Sequence, residues 1–248
     1  MSALLSVTGL TRRFGGLVAV NAVDLDLRRG EVHAVIGTNG AGKSTLINML
    51  SGEMAASAGR ITLAGEDITT RSQSLRARDG IGRSYQRTTI FPEFSVHENC
   101  RLCAQATTPR PWTFWQASRS CATSMAAADE ALEAAGLSAE AHRMAGALSH
   151  GAQRQLEIAM CLATRPHVLL LDEPLAGMGA EETERMLALL TRLKASHAIL
   201  LVEHDMDAVF RIADRITVMV NGTVIATGDP TAIRANSEVR SAYLGEGH

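Results

Sequence analysis

One run of eight residues limits what this chain can fold into: Gly37-Thr38-Asn39-Gly40-Ala41-Gly42-Lys43-Ser44. It fits Gly-x-x-x-x-Gly-Lys-Ser/Thr, a phosphate-binding loop that has meaning only between a strand and a helix. Both flanks are present. Val32 to Ile36 is a short apolar run that reads as a buried strand. Ser44 to Leu50 reads as a helix, with Leu46, Ile47 and Leu50 at helical spacing. The chemistry requires this order. Glycines let the backbone curl around a phosphate with no Cβ in the way. The curled N–H groups and the helix N-terminus then face the anion. Lys43 brings a positive charge to the outer phosphates, and the Ser44 hydroxyl can hold a magnesium ion. The plainer alternative is a glycine-rich turn that happens to precede a lysine, which would not require strand and helix in register on either side.

At 248 residues the chain can bury a full core, as one large domain or two close subdomains. A net charge of −2 gives no electrostatic footprint for nucleic acid. Aromatics are 4% of the chain, too few for a single-strand stacking platform. No apolar run approaches the roughly 20 residues that span a bilayer. Leu4 to Leu10 is too short and lacks the flanks of a signal peptide. The expectation is a soluble, cytoplasmic chain. Cys100, Cys103, Cys121 and Cys161 fit a reducing compartment. Cys100 and Cys103 form a lone Cys-x-x-Cys with no second pair at zinc spacing, so they read as small core residues on one helix face.

Along the chain, Leu4 to Leu27 alternates apolar and polar residues in two runs broken at Gly15-Gly16, the pattern of an antiparallel hairpin. Phe14 sits at the break, where an aromatic either packs locally or offers a face to a base. Arg60 to Leu63 is a further short strand, and Ile81 to Tyr85 leads to Gln86 and a turn at Phe91-Pro92. From Ser95 to Leu148 the composition turns helical: Ala128, Ala131, Leu132 and Ala135 recur at helical spacing, and Gly136 is a stop. Within this block lies Pro109-Arg110-Pro111-Trp112-Thr113-Phe114-Trp115, which reads either as a local apolar plug or as a docking patch. Then the α/β pattern resumes. Gly151 to Ala163 and Glu181 to Lys194 read as helices, and Val168 to Leu171 and Ala198 to Val202 as buried parallel strands. Ile216 to Val220 and Thr223 to Thr227 flank Asn221-Gly222, a hairpin signal. A short polar helical tail ends the sequence.

Asp172 and Glu173 stand at the C-terminal end of an apolar strand, the end at which open α/β sheets bind ligands. Asp172 suits the metal-holding acid that accompanies a phosphate loop, and Glu173 is then placed to take a proton from an attacking water. Two adjacent acids could otherwise simply open a solvated loop. Ser149 is a good helix N-cap, and Gly151 lets backbone approach closely. That helix start is either an ordinary cap or a second anion site. His204 follows its strand as Asp172 follows its own, which sets a functional histidine against a structural one.

These residues, in this order, resemble the ATP-binding-cassette ATPases over nearly the whole chain. Phe14 stands at the aromatic A-loop position, Gly37 to Ser44 with Thr45 at Walker A, and Gln86 at the Q-loop. Leu148 to Gln153 stands at the signature, Asp172 and Glu173 at Walker B, and His204 at the switch histidine. The resemblance implies a P-loop NTPase α/β core with a mixed, mainly parallel sheet, an N-terminal antiparallel β-subdomain and an inserted helical subdomain. The whole of 1–248 would be one nucleotide-binding domain, with the helical subdomain at approximately 95–160. It implies ATP and Mg2+ as ligands. Phe14, Gly37, Thr38, Asn39, Gly40, Ala41, Gly42, Lys43, Ser44, Thr45, Ser149 and Gly151 would bind nucleotide; Ser44, Gln86 and Asp172 would serve the metal; Glu173, His204 and Gln86 would serve catalysis. It also implies a head-to-tail dimer, each ATP lying between one chain's Walker A and the partner's signature.

Leu148-Ser149-His150-Gly151, Arg154 to Ala159, Glu173 to Met178, Leu201 to Met206 and Arg13 to Leu17 resemble more narrowly the branched-chain amino-acid importer ATPases. Such a chain would lie on the inner face of the cell membrane. Its partners would be two permease subunits, a second related ATPase or a second copy, and a periplasmic or external binding protein, with no nucleic acid. The sequence departs from the common cassette pattern at Thr38, His150, Ala152 and Gly179, the last at the D-loop aspartate position. A soluble cassette ATPase of translation, repair or cluster assembly is the competing reading. It fits less well, because such chains carry two cassettes or long coiled coils. A P-loop kinase would leave the signature helix and His204 without a role. Motors of a urea importer or a lipid exporter belong to the same class as the first reading.

Overall fold

A computed structural model describes residues 3–86, 89–107 and 122–244. Two sheets form its frame. The first is antiparallel: β1 (Leu5–Phe14) pairs with β2 (Leu17–Leu27) and with β4 (Ala58–Leu63), which also pairs with β5 (Glu66–Asp67). The expected hairpin is there, its last pair Phe14 with Leu17 across the Gly15-Gly16 turn. The second sheet has the order β10-β9-β3-β8-β7-β6. Its strands β3 (Val32–Gly37), β6 (Ile81–Arg83), β7 (Val168–Asp172), β8 (Ala198–Val202) and β9 (Arg215–Val220) run parallel. Strand β10 (Thr223–Gly228) turns back antiparallel to β9.

The central strands are apolar throughout because both faces are covered. Leu169, Leu171, Ile199 and Leu201 face a core shared with helices α3 (Val96–Thr107), α4 (Ala122–Ala135), α5 (His150–Ala163) and α6 (Ala180–Lys194). Val168, Leu170, Leu200 and Val202 face the opposite way, against α1 (Lys43–Ser51) and the first sheet. On α6 the expected stripe of Met186, Leu189, Leu190 and Leu193 is buried. Helices α3, α4 and α5 pack on one another and form the helical insert. Cys100 and Cys161 are buried and Cys103 half-buried, and burial pushes all three thiols up, Cys103 to about 11. The aromatic run Pro109 to Trp115, with Trp112, Phe114 and Trp115, lies outside the described residues.

Helices α2 (Gln73–Arg78) and α7 (Met206–Ile212) have no counterpart in the sequence reading. Helix α2 holds because Arg76, wholly buried, donates to the carbonyls of Met49 and Leu50 at the end of α1 and to those of Thr69 and Arg71. Helix α7 starts where Asp205 accepts from Ala208 N. The polar tail resolves into α8 (Pro230–Ala235), capped by Asp229, and α9 (Ser237–Leu244). Among the described residues no helix is long and apolar enough to cross a membrane.

Candidate functional site

Strand β3 ends at Gly37 and the chain turns through 38–42 into α1, with Ala41 N donating to Thr38 O at 3.1 Å. Gly42 takes φ 95°, in the left-handed region, and a Cβ there would stand 2.4 Å from Ala19 O. Any other residue at this position would displace the hairpin strand β2. Helix α1 has no side-chain cap and no acidic residue in its first turn. Its first N–H groups are therefore left for an anion from outside the helix. Lys43 is buried, and its Nζ donates to Gly37 O at 2.7 Å and Thr38 O at 3.1 Å. That occupies two of three ammonium donors and leaves one for a ligand. Burial lowers the Lys43 pKa, while the charges of Glu173 and Asp172 oppose that shift. Asn39, Gly40 and Ser44 are exposed at the mouth, and Thr38 and Thr45 are half-buried.

Two strand ends bring the acids to this loop. Asp172 closes β7 and is buried; burial raises its carboxyl pKa, and the Arg83 guanidinium, 3.9 Å away, pulls it back. Glu173 follows at φ 49°, a strained backbone for a non-glycine residue, pinned by its N–H donating to Val202 O at 2.9 Å. Gln86 Nε2 donates to Glu173 Oε2 at 3.0 Å. His204 Nδ1 lies 3.8 Å from Glu173 Oε1 and 3.8 Å from Glu203 Oε2. Gln86, Asp172, Glu173 and His204, scattered in sequence, thus meet beside Lys43.

Ser149 and Gly151 form a separate group. Ser149 caps α5 by accepting from Ala152 N at 3.3 Å, and both Ser149 and Gly151 donate to Glu182. None of these bonds reaches the phosphate loop. A Cβ on Gly177 would lie 3.3 Å from His150 Cε1, so the His150 ring rests against the loop after Glu173. Phe14 is 43% exposed at the hairpin tip, with the Arg12 guanidinium 4.6 Å from its ring centroid. One ring face is therefore already covered by a cation.

Beside Glu182, four residues escape the sequence reading. Arg83 sits behind Asp172 and also donates to Asn48 Oδ1. Glu203, wholly buried, accepts from Leu175 N at 2.8 Å and His204 N at 3.1 Å, which ties the loop after Glu173 to the histidine. Arg154 donates to Tyr85 O at 2.9 Å, Gln86 O at 2.6 Å and Glu157 Oε2 at 2.9 Å, while Glu157 accepts from Thr89 N. Only this last pair had a visible signal: opposite charges three apart on the apolar side of a helix.

The profile of the ABC transporter family matches residues 20–176, and that of the branched-chain amino acid ATP-binding cassette transporters matches 223–248. The high-affinity branched-chain amino acid transport ATP-binding protein BraF of Pseudomonas aeruginosa is 42% identical over 98% of both chains. The corresponding protein LivG of Escherichia coli is 43% identical, again over 98% of both. Among solved structures, a nucleotide-free ATP-binding cassette from an ABC transporter superposes with TM-score 0.88 at 29% identity, covering 99% of this chain and 100% of its own. The ADP conformation of an ATP-binding cassette gives 0.86 at 29% identity, with the same coverage.

A parallel sheet with a phosphate loop after β3 and an acid pair after β7 defines a nucleotide-binding P-loop NTPase. Within that class the chain belongs to the ABC transporter family, as an ATP-hydrolysing, ATP-binding subunit.

Proposed function

We propose that this chain is the motor of a bacterial importer for branched-chain or related amino acids. The observation that carries the substrate class is the near-full-length likeness to BraF and LivG, together with the 223–248 match. In this reading 1–248 is one nucleotide-binding domain with the helical subdomain at approximately 95–160. It works on the inner face of the membrane with two permease subunits, a second ATPase or second copy, and an external binding protein. No observation favours a soluble cassette ATPase.

The site residues fit the substrate. The uncapped N–H groups of α1 and the free Lys43 donor accept the phosphates of ATP, and Phe14 offers its uncovered face to the base. The oxygen donors Ser44 and Asp172, with the Gln86 side-chain oxygen, suit Mg2+. When bound, Mg2+ offsets charge on the outer phosphates. Glu173 takes a proton as the water oxygen bonds to the terminal phosphorus; the bond to the bridging oxygen breaks and ADP departs. Gln86 holds the Glu173 carboxylate, and His204 stands ready on its other side. The signature residues Ser149 and Gly151 serve the ATP held by the partner cassette.

Uptake by the chain assembled with its permeases in vesicles, with the binding protein outside, tests this reading. Labelled leucine should enter only with internal ATP, and Lys43→Ala should abolish both nucleotide binding and uptake. ATP-driven uptake of urea but not of leucine would contradict the substrate class.

A further inference from the structure

The donors of the signature are already in use. Ser149 Oγ at 3.1 Å and Gly151 N at 3.2 Å both donate to one oxygen, Oε1 of Glu182. The carboxylate presses on the bare face of Gly151, where a Cβ would fall 2.5 Å from Glu182 Cδ. Glu182 is the third residue of α6, whose N-cap Gly179 has no side chain to offer. Ser149 first, then Gly151 and the Gly179 backbone, hold its carboxyl pKa below the usual range. One anion thus serves the starts of two helices, α5 and α6. The residue is partly exposed, which leaves its side chain room to rotate off Ser149 and Gly151.

We propose that Glu182 is the internal occupant of the signature's anion site. Its carboxylate must leave Ser149 and Gly151 before the terminal phosphate of the partner's ATP can take those donors, so Glu182 sets the ATP concentration at which two cassettes pair. This rests on the reading of Ser149 and Gly151 as the cross-dimer phosphate site. A phosphate carries more charge than a carboxylate, so it displaces Glu182 at sufficient ATP. At low ATP the carboxylate holds the cassettes apart.

Inorganic phosphate, titrated into the full chain and followed on the Gly151 and Ala152 amide NMR signals, tests the occupancy. Glu182→Ala should give a saturable shift at both amides that wild type lacks. Glu182→Gln, which keeps shape but not charge, should fall between them. In a Glu173→Gln background, Glu182→Ala should also lower the ATP concentration for half-maximal pairing, read by light scattering. The expected change is about three- to tenfold, the net worth of one ordinary hydrogen bond. A residue that only caps α6 would lower the melting temperature and move neither readout. No phosphate response in Glu182→Ala, or an unchanged or higher ATP threshold, would overturn the proposal. A phosphate response with ATP-dependent pairing that survives Ser149→Arg would leave Glu182 in place and overturn the cross-dimer reading instead.

Discussion

His33 lies wholly inside β3, its Nε2 2.8 Å from Thr217 Oγ1 and its Nδ1 3.0 Å from Asp26 O. Burial, and then the Arg215 charge, bring its pKa from 6.5 to about 4. The unfolded imidazole takes a proton near 6.5, and the folded one resists until about 4. The stabilisation is therefore complete above pH 6.5 and lost as pH falls toward 4, a span worth about 3 kcal/mol. His33→Gln keeps polar partners and cannot titrate. Its melting temperature should fall less steeply than wild type across that range, and equal slopes would contradict the assignment. At this scale the sequence is legible where a residue's role is carried by its neighbours. Lys43 and Ser44 announce themselves beside glycines, and Asp172 and Glu173 at the end of an apolar run. Arg83, Glu182 and Glu203 are not legible, because what they hold lies elsewhere in the chain: Asp172, Ser149 and Leu175 respectively.

Helix α5 joins two parts of the site. Its first turn carries Ser149 and Gly151, and one turn later Arg154 grips the carbonyls of Tyr85 and Gln86 while pairing with Glu157. A shift of α5 therefore moves Gln86, and with it the bond from Gln86 to Glu173. Arg154→Met removes the grip and leaves the Glu157 carboxylate buried without its cation, which typically costs about 3–5 kcal/mol. The melting temperature should drop accordingly. Adding Glu157→Leu should recover most of that stability, since a buried pair replaced by apolar side chains is often neutral. Turnover should stay low in the double variant, because Gln86 is still ungripped. Recovery of both stability and turnover would show that the pair is only structural. Elements follow the same rule of legibility as residues. Strands β3, β7 and β8 read clearly because burial on both faces demands unbroken apolar runs. Helix α2 does not, since six residues held by one arginine's distant bonds leave no periodicity to see.

The molecule as a whole carries two groups of candidate site residues: Lys43, Asp172 and Glu173 at the strand ends, Ser149 and Gly151 at the head of α5. Among the described residues no hydrogen bond of Ser149 or Gly151 reaches the first group, which is the layout a head-to-tail pair would complete. At that scale the expectation of a pair comes only through resemblance, because no local pattern in one chain encodes a partner. The most direct measurement is made on Glu173→Gln. Glutamine keeps the shape of the side chain and cannot take the water's proton, so turnover should fall by about 10²–10⁴-fold. ATP affinity should persist, since Lys43 and the α1 N–H groups are untouched, and ATP should then shift the protein from monomer to dimer by light scattering, with the companion ATPase present if the natural pair is mixed. Turnover within a few-fold of wild type in the assembled transporter would contradict the account and move the base to His204.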